Sequence, residues 1–219
     1  TAEDKGDHYL VNGQKTFITN GFMCDMAIVA VKTNANRNDE GVSLLIMESA
    51  MEGFNKGIPF KKIGMKSQDT AELFFDNVKV PKENLLGAEK MGFKIMMKEL
   101  PRERLTVAIN AVGCAEGAIE NTIAYTSERK AFDSPIAGFQ NTQFKLAECV
   151  TKIQIHQAFM DRCVELLVEH KLTTETASMI KYSATEMCSN VVDECLQLFG
   201  GYGYIWDYPI ARMYADNRV

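Results

Sequence analysis

The 219-residue sequence contains one tryptophan, three histidines and five prolines. It has no hydrophobic stretch on the scale of a membrane span: the longest apolar runs, such as residues 27–31, fall far short of the roughly 20 residues a spanning helix needs. Basic charge is not in excess either, with 24 Lys and Arg against 29 Asp and Glu and a net charge of −5. Acidic residues slightly outnumber basic ones on both sides of residue 90, which argues against a nucleic-acid partner. The six cysteines are Cys24, Cys114, Cys149, Cys163, Cys188 and Cys195. None forms CxxC, and none stands at a zinc-ligand spacing from His8, His156 or His170. The pattern indicates no metal, no disulfide framework and a reducing compartment. GxSxG, HExxH and a Ser/His/Asp ordering are also missing, so hydrolase, protease and zinc-enzyme readings have no support. No secretory leader opens the chain, and residue 1 is Thr rather than Met, so an upstream piece is expected to be missing.

What is present is an ordinary globular composition, 46% hydrophobic and 24% charged, with ample core material. Residues 8–81 read as strands and turns. A strand over 8–11 runs into Asn12-Gly13, a strong hairpin signal because both residues tolerate positive φ, and residues 15–20 are expected to return. Further strands are predicted over 27–33, 42–48 and 71–75, separated by polar turns such as residues 34–39. Asp76-Asn77 is expected to turn into 78–80, which Pro81 stops. Such spacing predicts a small antiparallel β-barrel or sandwich. After Leu85-Leu86-Gly87 the apolar period changes to three and four. Helices are predicted over 92–128, 140–170 and 174–199, with another beginning near Pro209. Gln140 opens the second, and Thr173-Thr174 caps the third. The expected fold is α+β: a β domain over 1–88, then an antiparallel helical-bundle domain over 89–219.

Four groups of residues stand out. Met96, Leu100, Glu103 and Val107 step by helical spacing, so Glu103 is expected within an apolar stripe beside Pro101. Burial would raise its pKa and suit it to act as a base, while pairing with Arg102 or Arg104 is the structural alternative. Gln197, Leu198, Phe199, Gly200 and Gly201 lead into Tyr202 and Tyr204. The glycines could admit a diphosphate to backbone amides, or simply end a helix. Phe17, Ile18 and Thr19 place an aromatic and a hydroxyl two apart on a strand, suited to a planar ring or to ordinary packing. Arg129, with Phe132 and Gln140, marks a helix end, where a basic residue often complements the helix dipole.

These segments occur together and in order in one family. VNGQKTFITNG at 11–21, MKSQDTAELFFDNVKVP at 65–81 and LLGAEKMGF at 85–93 are three of the matching phrases. KELPRERL at 98–105, ERKAF at 128–132 and QLFGGYGY at 197–204 complete the set. The chain resembles the acyl-CoA dehydrogenases over its whole length, most closely their long-chain branch. The resemblance implies FAD-dependent α,β-dehydrogenation of a fatty acyl-CoA to a trans-2-enoyl-CoA. It implies Glu103 as the α-proton base. It also implies Phe17, Ile18 and Thr19 against the flavin, and Arg129, Gln140, Gln197, Leu198, Phe199, Gly200 and Gly201 on the FAD diphosphate and adenosine across a subunit interface. Thr33, Pro101, Arg102 and Arg104 are implied as acyl-CoA contacts. It further implies a homotetramer, electron transfer to an electron-transferring flavoprotein, and the bacterial cytoplasm or mitochondrial matrix. Where the family usually has Gly after Ala131-Phe132, this chain has Asp133, and Lys94 stands where long-chain members tend to carry an aromatic.

In the family, the helical N-terminal domain, a glycine-rich flavin loop and a segment beyond Val219 complete the site. On that reading these 219 residues hold only part of it, and a fragment inactive by itself is one expectation. A noncatalytic assembly or acyl-carrier-binding relative and an acyl-CoA oxidase are the other readings left open.

Overall fold

The computed structural model describes residues 1–33 and 41–219; the polar turn expected at 34–39 lies outside the described residues. The backbone divides into two compact units, Thr1–Lys98 and Glu99–Val219.

The first unit contains β1 (Ala2–Asp4), β2 (His8–Thr19), β3 (Met26–Lys32), β4 (Val42–Glu48), β5 (Phe54–Lys56) and β6 (Thr70–Pro81). One antiparallel sheet has the order β1-β2-β6-β5, and β3 pairs with β4 in a second. Tyr9, Val11, Leu73, Phe75, Val78 and Val80 from the first sheet share one core with Val29, Val31, Leu45 and Met47 from the second. The arrangement is a sandwich, and no closed barrel is present among the described residues.

The hairpin expected at Asn12-Gly13 does not form: β2 runs straight through it. Its pairing with β6 passes from Val11↔Val78 to Gly13↔Phe75, so β6 carries one extra residue at Asp76-Asn77. Asn77 sits at φ 52, and the two asparagines bind each other. The Asn77 N–H donates to Asn12 Oδ1 at 2.8 Å, and Asn12 Nδ2 donates to Asn77 Oδ1 at 3.1 Å. The turn-type residues at both positions therefore build a β-bulge, and the turn expected at Asp76-Asn77 is likewise continuous strand. Because strand side chains alternate faces, the bulge shifts the inward positions of β6 from Ala71, Leu73 and Phe75 to Val78 and Val80.

In the second unit the helices lie close to the expected ranges: α1 (Gly92–Glu128, begun in the first unit), α2 (Gln140–Val168), α3 (Thr174–Leu198) and α4 (Pro209–Asp216). Thr173 caps α3, its Oγ1 accepting from the Thr176 N–H at 3.2 Å. The connection at 169–173 is short, so α2 and α3 are antiparallel neighbours. A two-stranded hairpin, β7 (Lys130–Ala131) and β8 (Ser134–Pro135), follows α1. The core is built on α1 by Leu105, Ala108, Val112, Ala115 and Ile119, packed with Ile153, Ile180, Val191, Cys195 and Ile210. All six cysteines are free thiols; Cys149, Cys163, Cys188 and Cys195 are buried.

Candidate functional site

In the first unit a second irregularity falls on the predicted Phe17–Thr19 segment. Pairing passes from Lys15↔Leu73 to Ile18↔Ala71, so here β2 carries the extra residue. Phe17 adopts φ 58, a left-handed conformation that costs a non-glycine residue about 1–2 kcal/mol. The distortion turns its ring outward, 75% exposed and 5.5 Å from the ring of Phe60, while Ile18 packs against the core. Thr19 is exposed and ends the strand opposite Thr70. The turn is pinned: the Asn20 N–H donates to Asp69 O at 3.1 Å, and the Phe22 N–H to Asp69 Oδ2 at 2.8 Å. Strained backbone holding an aromatic face open is characteristic of a ligand site. Thr33, at the end of β3, is half-buried, and its hydroxyl meets Ser43 Oγ at 2.9 Å.

In the second unit a cleft of about 650 Å³ gathers Arg129 with the whole predicted run Gln197, Leu198, Phe199, Gly200 and Gly201. Gln140, the first residue of α2, is exposed and does not line it. The helix-end reading of the glycines is correct as far as it goes, since α3 stops at Leu198 and Gly200 has φ 58. A side chain at Gly203 would place its Cβ 2.5 Å from Leu196 O, so the chain folds back tightly over the helix end. The remaining lining includes Tyr125, Ile136, Tyr202 and Ile205, which sequence reading did not assign to a site. Tyr125 stands one helical turn before Arg129, a spacing that could have signalled it.

The Tyr125 ring stacks on Phe199 at 4.0 Å and 12°, Tyr208 meets both edge-on, and Arg129 lies 5.3 Å over the Tyr202 ring. Burial pushes the Tyr125 phenol above its usual range, and its Oη donates to Phe199 O at 3.4 Å. The cleft thus offers an aromatic wall, a glycine-lined turn and one cation. After Arg129, Phe132 and Asp133 form the two-residue turn of the β7–β8 hairpin with φ 53 and 62. Positive φ at both turn positions is type I′ geometry, which favours Gly and which Asp tolerates better than most residues. Phe132 projects 93% exposed.

Glu103 departs from expectation. The buried stripe of α1 runs through Leu105, Ala108, Val112, Ala115 and Ile119, while Glu103 and Val107 are exposed and Met96 and Leu100 only half-buried. Large apolar residues suggested one face in sequence. The face that packs combines Leu105, Val112 and Ile119 with small alanines that allow close helix approach. The structural alternative for Glu103 is also absent: among the described residues it joins no ion pair. Arg104 instead donates from Nη1 to Ser178 Oγ at 3.1 Å, Arg102 is exposed, and Pro101 lies within the helix two residues before Glu103. The result is an exposed carboxylate on the α1 helix without an ion-pair partner among the described residues. Among the described residues there is no cluster able to hold a metal ion and no helix long and apolar enough to cross a membrane.

Residues 1–78 match the acyl-CoA dehydrogenase middle domain, and residues 90–219 the acyl-CoA dehydrogenase C-terminal domain. The chain is 47% identical over 220 residues to the mitochondrial long-chain specific acyl-CoA dehydrogenase of Sus scrofa, covering all of this chain and 51% of that protein. It superimposes on an acyl-CoA dehydrogenase from Geobacillus kaustophilus with a TM-score of 0.96 at 46% identity, over 98% of this chain and 57% of the other. An acyl-CoA dehydrogenase complexed with FAD from Bacillus anthracis gives a TM-score of 0.91 at 32% identity, over 99% of this chain and 40% of the other. The chain therefore spans about half the length of the curated relative it matches.

Proposed function

The chain belongs to the acyl-CoA dehydrogenase family, as its middle and C-terminal domains, and from that premise we propose that the protein dehydrogenates a fatty acyl-CoA to the trans-2-enoyl-CoA with Glu103 as the base. The observation that carries the reading is an exposed carboxylate without an ion-pair partner among the described residues, in the same helical turn as Pro101, Arg102 and Arg104, the proposed substrate contacts.

The donor set suits FAD. A planar ring system needs an open aromatic face and a nearby polar group, for which the exposed Phe17 and the exposed Thr19 at the end of the strand are the candidates. A diphosphate and adenosine need close backbone amides, a cation and an apolar wall, as the run from Gln197 to Gly201, Arg129 and the Tyr125–Phe199 stack provide. On the proposed reading these two sets belong to different subunits, and Gln140 contributes outside the cleft. Bound FAD would supply the acceptor for the hydride that leaves the β-carbon.

The work of the chain itself is proton transfer and positioning. The α-proton of a thioester is weakly acidic, so Glu103 must stand within hydrogen-bond reach of it and remove it as the β-hydride departs. Arg104 is tethered to Ser178, which keeps it off the base, and Thr33 is the acyl-CoA contact proposed for the β unit. A homotetramer is the proposed assembly, and the exposed Phe144, Ile155, Val168, Met179 and Tyr182 of the helical unit are apolar side chains that such an interface would cover. An electron-transferring flavoprotein is the proposed acceptor. The free thiols and the mitochondrial relative support the mitochondrial matrix or bacterial cytoplasm as the location.

The test is anaerobic addition of acyl-CoA to the FAD-loaded protein. Bleaching of the flavin with formation of the enoyl thioester is expected. An unchanged spectrum would favour a noncatalytic binding protein, and peroxide release in air would identify an oxidase.

A further inference from the structure

Thr33 is proposed above as a ligand contact, and its hydroxyl belongs to a chain of hydrogen bonds whose direction can be worked out. The Lys90 N–H donates to Ser43 Oγ at 2.8 Å. Ser43 Oγ lies 2.9 Å from Thr33 Oγ1, and Thr33 Oγ1 lies 3.2 Å from Gly41 O. The Thr33 N–H also donates to Gly41 O, at 2.8 Å. Ser43 is fully buried, and Thr33 is half-buried.

Each hydroxyl has a single proton, and both ends of the chain are fixed: an amide N–H only donates and a carbonyl only accepts. If Thr33 donated to Ser43, two contacts would fail. The Thr33 oxygen would face the Gly41 carbonyl lone pair to lone pair, and the buried Ser43 proton would have no acceptor among the described residues. One arrangement satisfies every group. Lys90 donates to Ser43, Ser43 donates to Thr33, and Thr33 donates to Gly41. Thr33 is left with a lone pair and no proton to offer.

We propose that Ser43 is a positioning residue that fixes Thr33 as a hydrogen-bond acceptor, so that Thr33 selects a ligand presenting an amide N–H, as the pantetheine arm of an acyl-CoA does, rather than a carbonyl or phosphate oxygen. The inference rests on the acyl-CoA reading of Thr33. It also gives the buried serine a double task, since the same oxygen ties down Lys90, just ahead of α1.

The experiment measures binding to the FAD-loaded protein of a non-reacting acyl-CoA analogue. It is compared with derivatives in which one pantetheine amide N–H is replaced by an ester oxygen, and with derivatives in which the amide carbonyl is removed. A single neutral hydrogen bond predicts about 3–10-fold weaker binding of one ester derivative to the wild type. That penalty should persist in Thr33→Ser, vanish in Thr33→Val and shrink in Ser43→Ala. The penalty for removing a carbonyl should be the same in wild type and Thr33→Val. Amide exchange of Lys90 should accelerate in Ser43→Ala, and not in Thr33→Ser. If Thr33→Val keeps the full ester penalty, or the wild type shows none, the contact reading of Thr33 is wrong. If Thr33→Val cancels the carbonyl penalty instead, or Ser43→Ala leaves the ester penalty intact, Thr33 is a contact but Ser43 does not set its polarity. The comparison of the two ligand deletions in Thr33→Val decides the polarity even if Ser43→Ala fails to fold.

Discussion

Replacing Glu103 by Gln removes one ionisable proton acceptor and leaves the side-chain shape nearly unchanged. The structure predicts a separation between two measurements. Glu103 is exposed and, among the described residues, joins no ion pair, so the substitution should move folding stability by no more than about 0.5 kcal/mol. A positioned base contributes roughly 10²–10⁴-fold to rate. At about 1.36 kcal/mol per tenfold, that corresponds to about 2.7–5.4 kcal/mol of transition-state stabilisation. The variant should therefore melt like the wild type, retain FAD and bind acyl-CoA, yet reduce its flavin two to four orders of magnitude more slowly. Stopped-flow flavin absorbance under anaerobic conditions reads the rate, and urea unfolding reads the stability. Flavin reduction at close to the wild-type rate would refute the assignment. A stability loss of several kcal/mol alongside slow turnover would show instead that Glu103 supports the fold.

Phe17→Gly should relieve the left-handed strain while losing an exposed ring, so its unfolding free energy should stay within about 1 kcal/mol of wild type while FAD binding weakens; a larger destabilisation in urea unfolding would mean the ring is a core element. Phe199→Ala removes a ring that is 5% exposed and stacked on Tyr125, and should cost about 3–5 kcal/mol in the same assay, with a loss below about 1 kcal/mol contradicting the packing described. The half-buried Cys114 thiol is lowered to about 7 by its hydrogen bond with Cys188, whereas burial raises Cys163. Alkylation followed by mass spectrometry should show Cys114 labelling accelerating as pH rises through 7 while Cys163 stays protected, and a pH-independent Cys114 rate would count against the shared hydrogen bond.

Much of the architecture is legible without coordinates. The change of apolar period after Gly87 locates the onset of α1, and Thr173 with Thr176 marks the start of α3. The resemblance carried by the ERKAF and QLFGGYGY phrases placed Arg129 and the glycine run in one role, and the cleft of the helical unit brings them together. Three features were not legible, each for a stated physical reason. Asn12-Gly13 has the residues of a hairpin turn, but whether they turn the chain or face a bulge depends on the residues of β6 opposite them. The buried face of α1 is not legible because large apolar residues lie on more than one side of the helix: Val107 is exposed, whereas Leu105, Val112 and Ile119 pack together with alanines. The spacing of Tyr125 from Arg129 is visible in the sequence, but its stacking on Phe199, distant in the chain, is not.

Sequence alone determined the classes: two kinds of secondary structure, cysteines without a disulfide spacing, and the residues proposed to accept a proton or bind a diphosphate. These follow from local chemistry and periodicity, which each residue carries with it. Tertiary structure decided which side chains are open, which are paired and which way a hydroxyl points. Glu103 is exposed and Arg104 donates to Ser178 because α1 packs through the face of Leu105, Ala108, Val112, Ala115 and Ile119. Thr33 can only accept because a buried serine and a backbone amide from a distant segment fix the direction of its proton. Those properties belong to pairs of residues far apart in the chain, and they exist only once folding has brought the partners together.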